Sequence, residues 1–159
     1  RPRHDDLIAE VRPTGARVKL IGDGDIFGAI ATGWPDAGVD VLIGIGGTPE
    51  GVISAAALKG MGGEIQGLLA PRNDAERDDA IAAGYDLSRV LTTDDLVQGD
   101  NCFFAATGIT DGALMRGVRY EHGGARPQRL VMRPRRGTVR MIDARHRIDK
   151  LASFASVEY

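Results

Sequence analysis

The chain has a single cysteine, Cys102, among 159 residues. One thiol excludes an internal disulfide framework and fits a reducing compartment; set in an apolar stretch, Cys102 reads as a core residue. Long apolar runs are missing as well. None approaches the roughly 18 residues of a membrane span, and no secretory signal is visible. The expected location is therefore the cytoplasm, away from membranes. Aromatics are scarce, with four Phe, three Tyr and one Trp, which removes the stacking platforms of single-stranded nucleic-acid binders. His4, His122 and His146 lie far apart and show no metal-ligand spacing. No Ser-His-Asp arrangement can be argued. An initiating methionine is also lacking: the chain opens at Arg1-Pro2-Arg3 and enters a helical pattern within a few residues. That reads as the interior of a longer protein.

What is present is the composition of an ordinary α/β protein, 43% hydrophobic and 26% charged, long enough for one domain with a real core. The outlier is glycine, at 22 residues, much of it at apparent strand ends where tight turns and close approach to ligands require it. Charge is unevenly spread. Residues 1–100 hold 17 acids against 9 Lys and Arg, whereas residues 101–159 hold 5 against 11. The two parts are expected to face different surroundings.

Along the chain, His4 to Val11 has helical spacing and ends before Pro13. Arg17 to Ile21 reads as a short strand, Ile26 to Thr32 as a helix, and Asp40 to Ile45 as a strand covered on both faces, because its apolar run is nearly continuous. Pro49 to Met61 is a small-residue helix suited to close packing on a sheet. Glu64 to Ala70 is a strand, Asp74 to Ala83 a helix ending at Gly84, and Val90-Leu91 a short strand or link. This α-β alternation predicts an α/β fold with a sheet covered by helices. From Cys102 the pattern becomes strand-rich: Cys102–Ala106, Gly117–His122, Arg129–Arg133 and Thr138–Ile142. The last two flank a turn at Pro134-Arg135-Arg136-Gly137 and predict a hairpin.

Two strand ends carry chemistry. Asp23-Gly24-Asp25 sets two carboxylates just past a strand's carboxyl end, the edge where open α/β sheets bind ligands. Such oxygens accept sugar hydroxyl protons or hold a hard cation. Taken alone, the same residues also fit a structural turn, with Asp25 as the N-cap of the next helix. The second strand end runs Gly44-Ile45-Gly46-Gly47-Thr48-Pro49-Glu50-Gly51. It lacks the lysine of a P-loop, and its glycine spacing is not the dinucleotide fingerprint. Thr48 reads as the N-cap and Pro49 as the first helical residue, which leaves Glu50 outside the capping-box position, held by Gly51. Free amides at a helix start favour an anion, and a neighbouring free carboxylate can take a cation. The alternative is a tight turn with Glu50 complementing the helix dipole. Arg1 and Arg3, separated by Pro2, offer paired guanidiniums for a phosphate, or else form a solvated tail. The arginines of the last third (Arg126, Arg129, Arg133, Arg135, Arg136, Arg140, Arg145 and Arg147) fit a solvated hairpin face or a subunit contact better than a nucleic-acid stripe, given the acidic chain.

Together, RPRHDDLIAE at 1–10, Asp23-Gly24-Asp25, VDVLIGIGGTPEGVISAAALKGMGGEIQGLL at 39–69 and FFAATGITDG at 103–112 resemble the class II fructose-1,6-bisphosphatases, members of the lithium-sensitive, metal-dependent phosphatase superfamily. The likeness runs from Arg1 to about Gly117 and weakens from Val118 onward. It implies a layered α/β/α/β/α fold of which this chain is the carboxy-terminal half, with residues 1–117 carrying the substrate and metal loops and 118–159 an Arg-rich, strand-rich tail of the same domain. It further implies that Arg1, Pro2 and Arg3 contact substrate phosphate or sugar, that Asp23, Gly24 and Asp25 contact sugar hydroxyls, that Gly47 touches substrate, and that Glu50 is a ligand to a divalent metal, Mg2+ or Mn2+.

The implied reaction removes the 1-phosphate of fructose 1,6-bisphosphate, giving fructose 6-phosphate and phosphate, as in gluconeogenesis. A dual enzyme also acting on sedoheptulose 1,7-bisphosphate, or a non-catalytic sugar-phosphate-binding module, are the alternatives. The resemblance places no catalytic residue in this chain. The remaining acidic ligands and the group that activates water belong to an amino-terminal half, expected from the same gene product, without which the chain is expected to be inactive. A homo-oligomer, dimer or tetramer, is also expected, with no nucleic-acid partner.

Overall fold

The computed structural model describes residues 1–151. A 3-10 turn, Pro2–His4, leads into α1 (Asp5–Val11), which gives way to a second 3-10 turn, Arg12–Thr14, where Pro13 denies the helix a further amide donor. There follow α2 (Asp25–Thr32), α3 (Thr48–Met61), β1 (Gln66–Gly67), α4 (Asp74–Ala82), β2 (Leu91–Thr92) and α5 (Thr93–Leu96). The remainder is strand-rich: β3 (Phe104–Thr107), β4 (Arg119–Glu121), β5 (Gly124–Arg126), β6 (Gln128–Arg133), β7 (Thr138–Asp143) and β8 (His146–Arg147), then α6 (Ile148–Leu151). Helices and sheets are mixed, as an α/β fold requires. The part of the predicted tail beyond residue 151 lies outside the described residues.

The core forms where α2 and α3 meet the sheet β3-β6-β7. Ile30 of α2, Ala57 of α3, Phe104 of β3, Leu130 and Met132 of β6, and the loop residue Met115 make one buried cluster. The small residues of α3 explain the closeness of this packing. Ser54, Ala55, Ala57, Leu58 and Gly60 are buried, and a β-carbon on Gly60 would stand 2.9 Å from Cβ of Met132. Only hydrogen fits between the helix and β6 at that point. β6 pairs antiparallel with β3 on one side and β7 on the other, so Phe104, Met132 and Val139 align in one row across the sheet. The β6-β7 hairpin occurs as its turn residues predict, through a 3-10 turn at Pro134–Arg136 and left-handed Gly137.

Two predicted strands depart from expectation. Residues 17–21 and 40–45 are extended but belong to no hydrogen-bonded ladder among the described residues. An apolar run specifies burial but not the neighbour that must satisfy its backbone. Here one side has cover: Ile21 and Leu42 both reach α2, with carbons 3.0 and 3.3 Å from the place of a β-carbon on Gly28. Leu20, Val41 and Ile43 remain 63%, 67% and 56% exposed. The predicted strand 64–70 contracts to β1, paired with β2. The strand predicted at 117–122 contracts to β4, which folds onto β5 through left-handed Gly123. Every ladder among the described residues is antiparallel. Among them, no helix is long and apolar enough to cross a membrane.

Candidate active site

Both motif helices begin one residue earlier than their sequences predict. Gly47, extended at φ −76° and ψ 147°, is the N-cap of α3, and Thr48 and Pro49 are its first two residues. Thr48 is therefore not the cap. Glu50 takes the third helical position, which is the capping-box place after all. Its carboxylate folds back over Gly47, with Oε2 in too close contact with the place of a β-carbon for one to fit unmoved. The backbone angle suits any residue, so the close approach of Glu50 is what distinguishes glycine at 47: a side chain there would push the Glu50 carboxylate aside. Similarly, Asp25 is the first residue of α2 and not its cap. The cap is Gly24, whose left-handed backbone at φ 78° turns the chain into the helix and favours glycine.

These starts converge. Asp25 Oδ2 lies 3.2 Å from the place of a β-carbon on Gly46, so the Asp23-Gly24-Asp25 turn abuts the Gly46-Gly47 turn. The amino-terminal 3-10 turn docks on the same segment. Arg3 Nε donates to the carbonyl oxygen of Ile45 at 2.8 Å, and His4 Nε2 lies 2.9 Å from the Ile45 amide nitrogen. Arg3, Asp25, Gly47 and Glu50 thus gather around residues 45–47, although they come from three separate stretches of sequence. Arg1 and Pro2 sit on the same turn as Arg3, and Arg1 accepts the His4 amide at its carbonyl, 2.8 Å away. Asp23, exposed on the bend before Gly24, makes no hydrogen bond or ion pair among the described residues. The cluster is open to solvent: Arg1 to Arg3, Asp23 to Asp25, Gly47 and Glu50 are all exposed.

The order and spacing of these turns are those of a known family. A family model described as bacterial fructose-1,6-bisphosphatase, glpX-encoded, matches residues 1–146. The chain belongs to that family. Among curated relatives of this bisphosphatase family, it is 43% identical to a D-fructose 1,6-bisphosphatase class 2/sedoheptulose 1,7-bisphosphatase of Crocosphaera subtropica, over 92% of the chain and 46% of the relative. It is 44% identical to a protein of the same description from a Synechococcus species, over 94% and 47%. It is 39% identical to a fructose-1,6-bisphosphatase class 2 of Haemophilus influenzae, over 99% and 51%. The chain spans about half the length of the curated relatives it matches.

A family phosphatase needs a divalent ion, and the donors here fit only part of one site. Among the described residues, no three His, Cys, Asp or Glu side chains stand together as a metal cage. A hard cation seeks about six oxygens, of which Glu50 offers a carboxylate at the helix start.

Several arginines of the last third are engaged. Arg119 pairs with Asp111 at 2.8 Å and Arg126 with Glu121 at 3.1 Å; Arg116 pairs with Asp143 and Arg147 with Asp149. Arg133 stacks over Phe103, 4.7 Å from the ring centre. The residue that spacing did not reveal is His4. Nothing along the sequence connects position 4 to position 45; only its place beside Arg3 hinted at the site.

Proposed function

We propose that the chain forms the substrate-holding half of a class II fructose-1,6-bisphosphatase, which hydrolyses the 1-phosphate of fructose 1,6-bisphosphate to fructose 6-phosphate and phosphate. The observation that carries this reading is the gathering of Arg3, Asp25, Gly47 and Glu50 around residues 45–47. Arg1 and Arg3 bind the phosphate distant from the reacting centre, a task for guanidiniums, with Pro2 fixing the turn between them. Asp23 and Asp25, positioned by Gly24, accept hydrogen bonds from sugar hydroxyls and orient the ring. The Gly46-Gly47 turn brings backbone close to the substrate, as only glycine allows. Glu50 supplies one carboxylate to a divalent ion, Mg2+ or Mn2+. When bound, that ion neutralises phosphate oxygens and lowers the pKa of the attacking water.

The rest of the catalytic machinery lies in the complementary half of a family chain. The exposed side chains of Leu20, Val41 and Ile43, beside Ile21 and Leu42, which touch α2 on one side yet stay about two-fifths exposed, support a second body packing there. Residues 1–117 and 118–159 are parts of one domain in this reading, since β3 pairs with β6 across that division. The enzyme works in the cytoplasm as a homo-oligomer, dimer or tetramer, with the edge strand β7 and its Arg140 as a contact. A dual preference that includes sedoheptulose 1,7-bisphosphate is the second reading, favoured by the descriptions of two relatives.

The test is phosphate release from fructose 1,6-bisphosphate by the chain together with its complementary half. Glu50→Gln lowers turnover on the order of 10²-fold and weakens the dependence on metal concentration. Wild-type kinetics with an unchanged metal response would overturn the assignment. Side-by-side assay of both bisphosphates decides between the two readings.

A further inference from the structure

Ile45 ends an extended segment that has no ladder partner among the described residues, yet its peptide groups are not left to solvent alone. The imidazole Nε2 of His4 lies 2.9 Å from the Ile45 nitrogen and 3.1 Å from the Ile45 oxygen. Arg3 Nε donates to that same oxygen at 2.8 Å. Two consecutive side chains therefore read the backbone of one residue, one accepting and one donating, as a neighbouring strand would. The Ile45 amide needs a lone pair on Nε2, which places the ring hydrogen on Nδ1 and leaves the carbonyl to Arg3. The ring also rests on Gly44, with Nε2 and Cε1 3.6 and 3.7 Å from the place of a β-carbon there. His4 is half-buried while Arg1, Pro2 and Arg3 beside it are exposed.

The position of this clamp gives it consequence. One residue after Ile45 comes Gly46, against Asp25, and then Gly47, under Glu50. One residue before His4 comes Arg3. His4 is both the last residue of the 3-10 turn and the N-cap of α1, at φ −106° and ψ 0°, so its backbone joins the Arg1–Arg3 turn to that helix. We propose that His4 is a positioning residue, which sets the separation between the Arg1–Arg3 arm and the Gly47–Glu50 turn. It touches no substrate; it holds two substrate-contacting stretches, some 41 residues apart in sequence, at a fixed span. A substrate that bridges a guanidinium and a helix start is sensitive to that span, because binding then includes the cost of ordering both ends. The proposal rests on the bisphosphatase reading above.

The test has two arms. In the 159-residue chain, amide hydrogen exchange is followed at Ile45 and at Leu130 of the core. His4→Ala accelerates exchange at Ile45 by about tenfold, the scale of one lost hydrogen bond, and leaves Leu130 unchanged. His4→Gln, whose amide reaches the same place with an acceptor, restores most of the protection; His4→Asn, one methylene shorter, does not. With the complementary half present, the same variants raise KM for fructose 1,6-bisphosphate about fivefold to tenfold and change kcat little, with Gln again recovering. An unchanged KM in His4→Ala, unaltered Ile45 exchange, or a loss that tracks the melting temperature without recovery by Gln overturns the proposal. Absence of bisphosphatase activity in the wild-type assembly instead overturns the function itself, and this inference with it.

Discussion

The carboxylate of Glu50 lies folded over Gly47, its Oε2 so near the place of a β-carbon that one could be added only by moving it. The helix cap and the proposed metal ligand thus share one small volume. A change at 47 acts on Glu50 directly.

Gly47→Ala should therefore separate activity from stability. The backbone at φ −76° and ψ 147° suits any residue, so the added methyl displaces only the mobile end of Glu50. We expect a stability loss of no more than about 1 kcal/mol, the scale of a poorer N-cap, and at least about a tenfold loss of turnover in the assembled enzyme, since small misplacements of catalytic groups are costly. Denaturant midpoints measured beside steady-state kinetics check it; parallel losses in both would contradict it.

Gly60→Ala should do the reverse. Alanine is favoured over glycine inside a helix by about 1 kcal/mol, and an exposed site would gain that amount. At Gly60 the new carbon would stand 2.9 Å from Cβ of Met132, a fully buried residue. Overpacking of this kind costs about 1–3 kcal/mol, so the net effect is destabilising. A urea midpoint higher than wild type would show that α3 lifts from the sheet without strain.

Asp111 makes the acid response of the loop 108–118 testable. The Gly117 amide, at 2.9 Å, and the Arg119 guanidinium hold its carboxyl below the usual carboxylate range. A folded-state pKa below the unfolded value of about 3.8 means stability that is fully present above that value. It is lost as pH falls through the depressed folded pKa. Asp111→Asn should therefore be less stable than wild type at neutral pH, with the gap closing below about pH 4. Denaturation across pH 2–7 measures it, and a gap that persists at low pH would assign the loss to shape instead of charge.

Much of the fold was legible because it is local. The spacing of apolar residues marks α1 to α4, the proline-arginine turn marks the β6-β7 hairpin, and the small residues of α3 announce its close packing. Helix starts were less legible. A left-handed Gly24 and an extended Gly47 each serve as caps, and neither residue has a side chain to advertise the role. The capping box of Thr92 and Asp95, which opens α5, passed unread because so short a helix has no apolar period.

The amino-acid sequence by itself determined the family of this chain and the chemistry of its motifs: guanidiniums at 1 and 3, carboxylates at 23, 25 and 50, glycines between. Those are properties of residue type and spacing. Tertiary structure alone decided that Arg3 and His4 grip Ile45, that Asp25 meets Gly46, and that residues 40–45 lie extended without a ladder partner among the described residues. Each of these depends on which backbone groups find one another across tens of residues. Hydrogen bonds between distant segments leave no period in a sequence, since any residue offers the same amide and carbonyl.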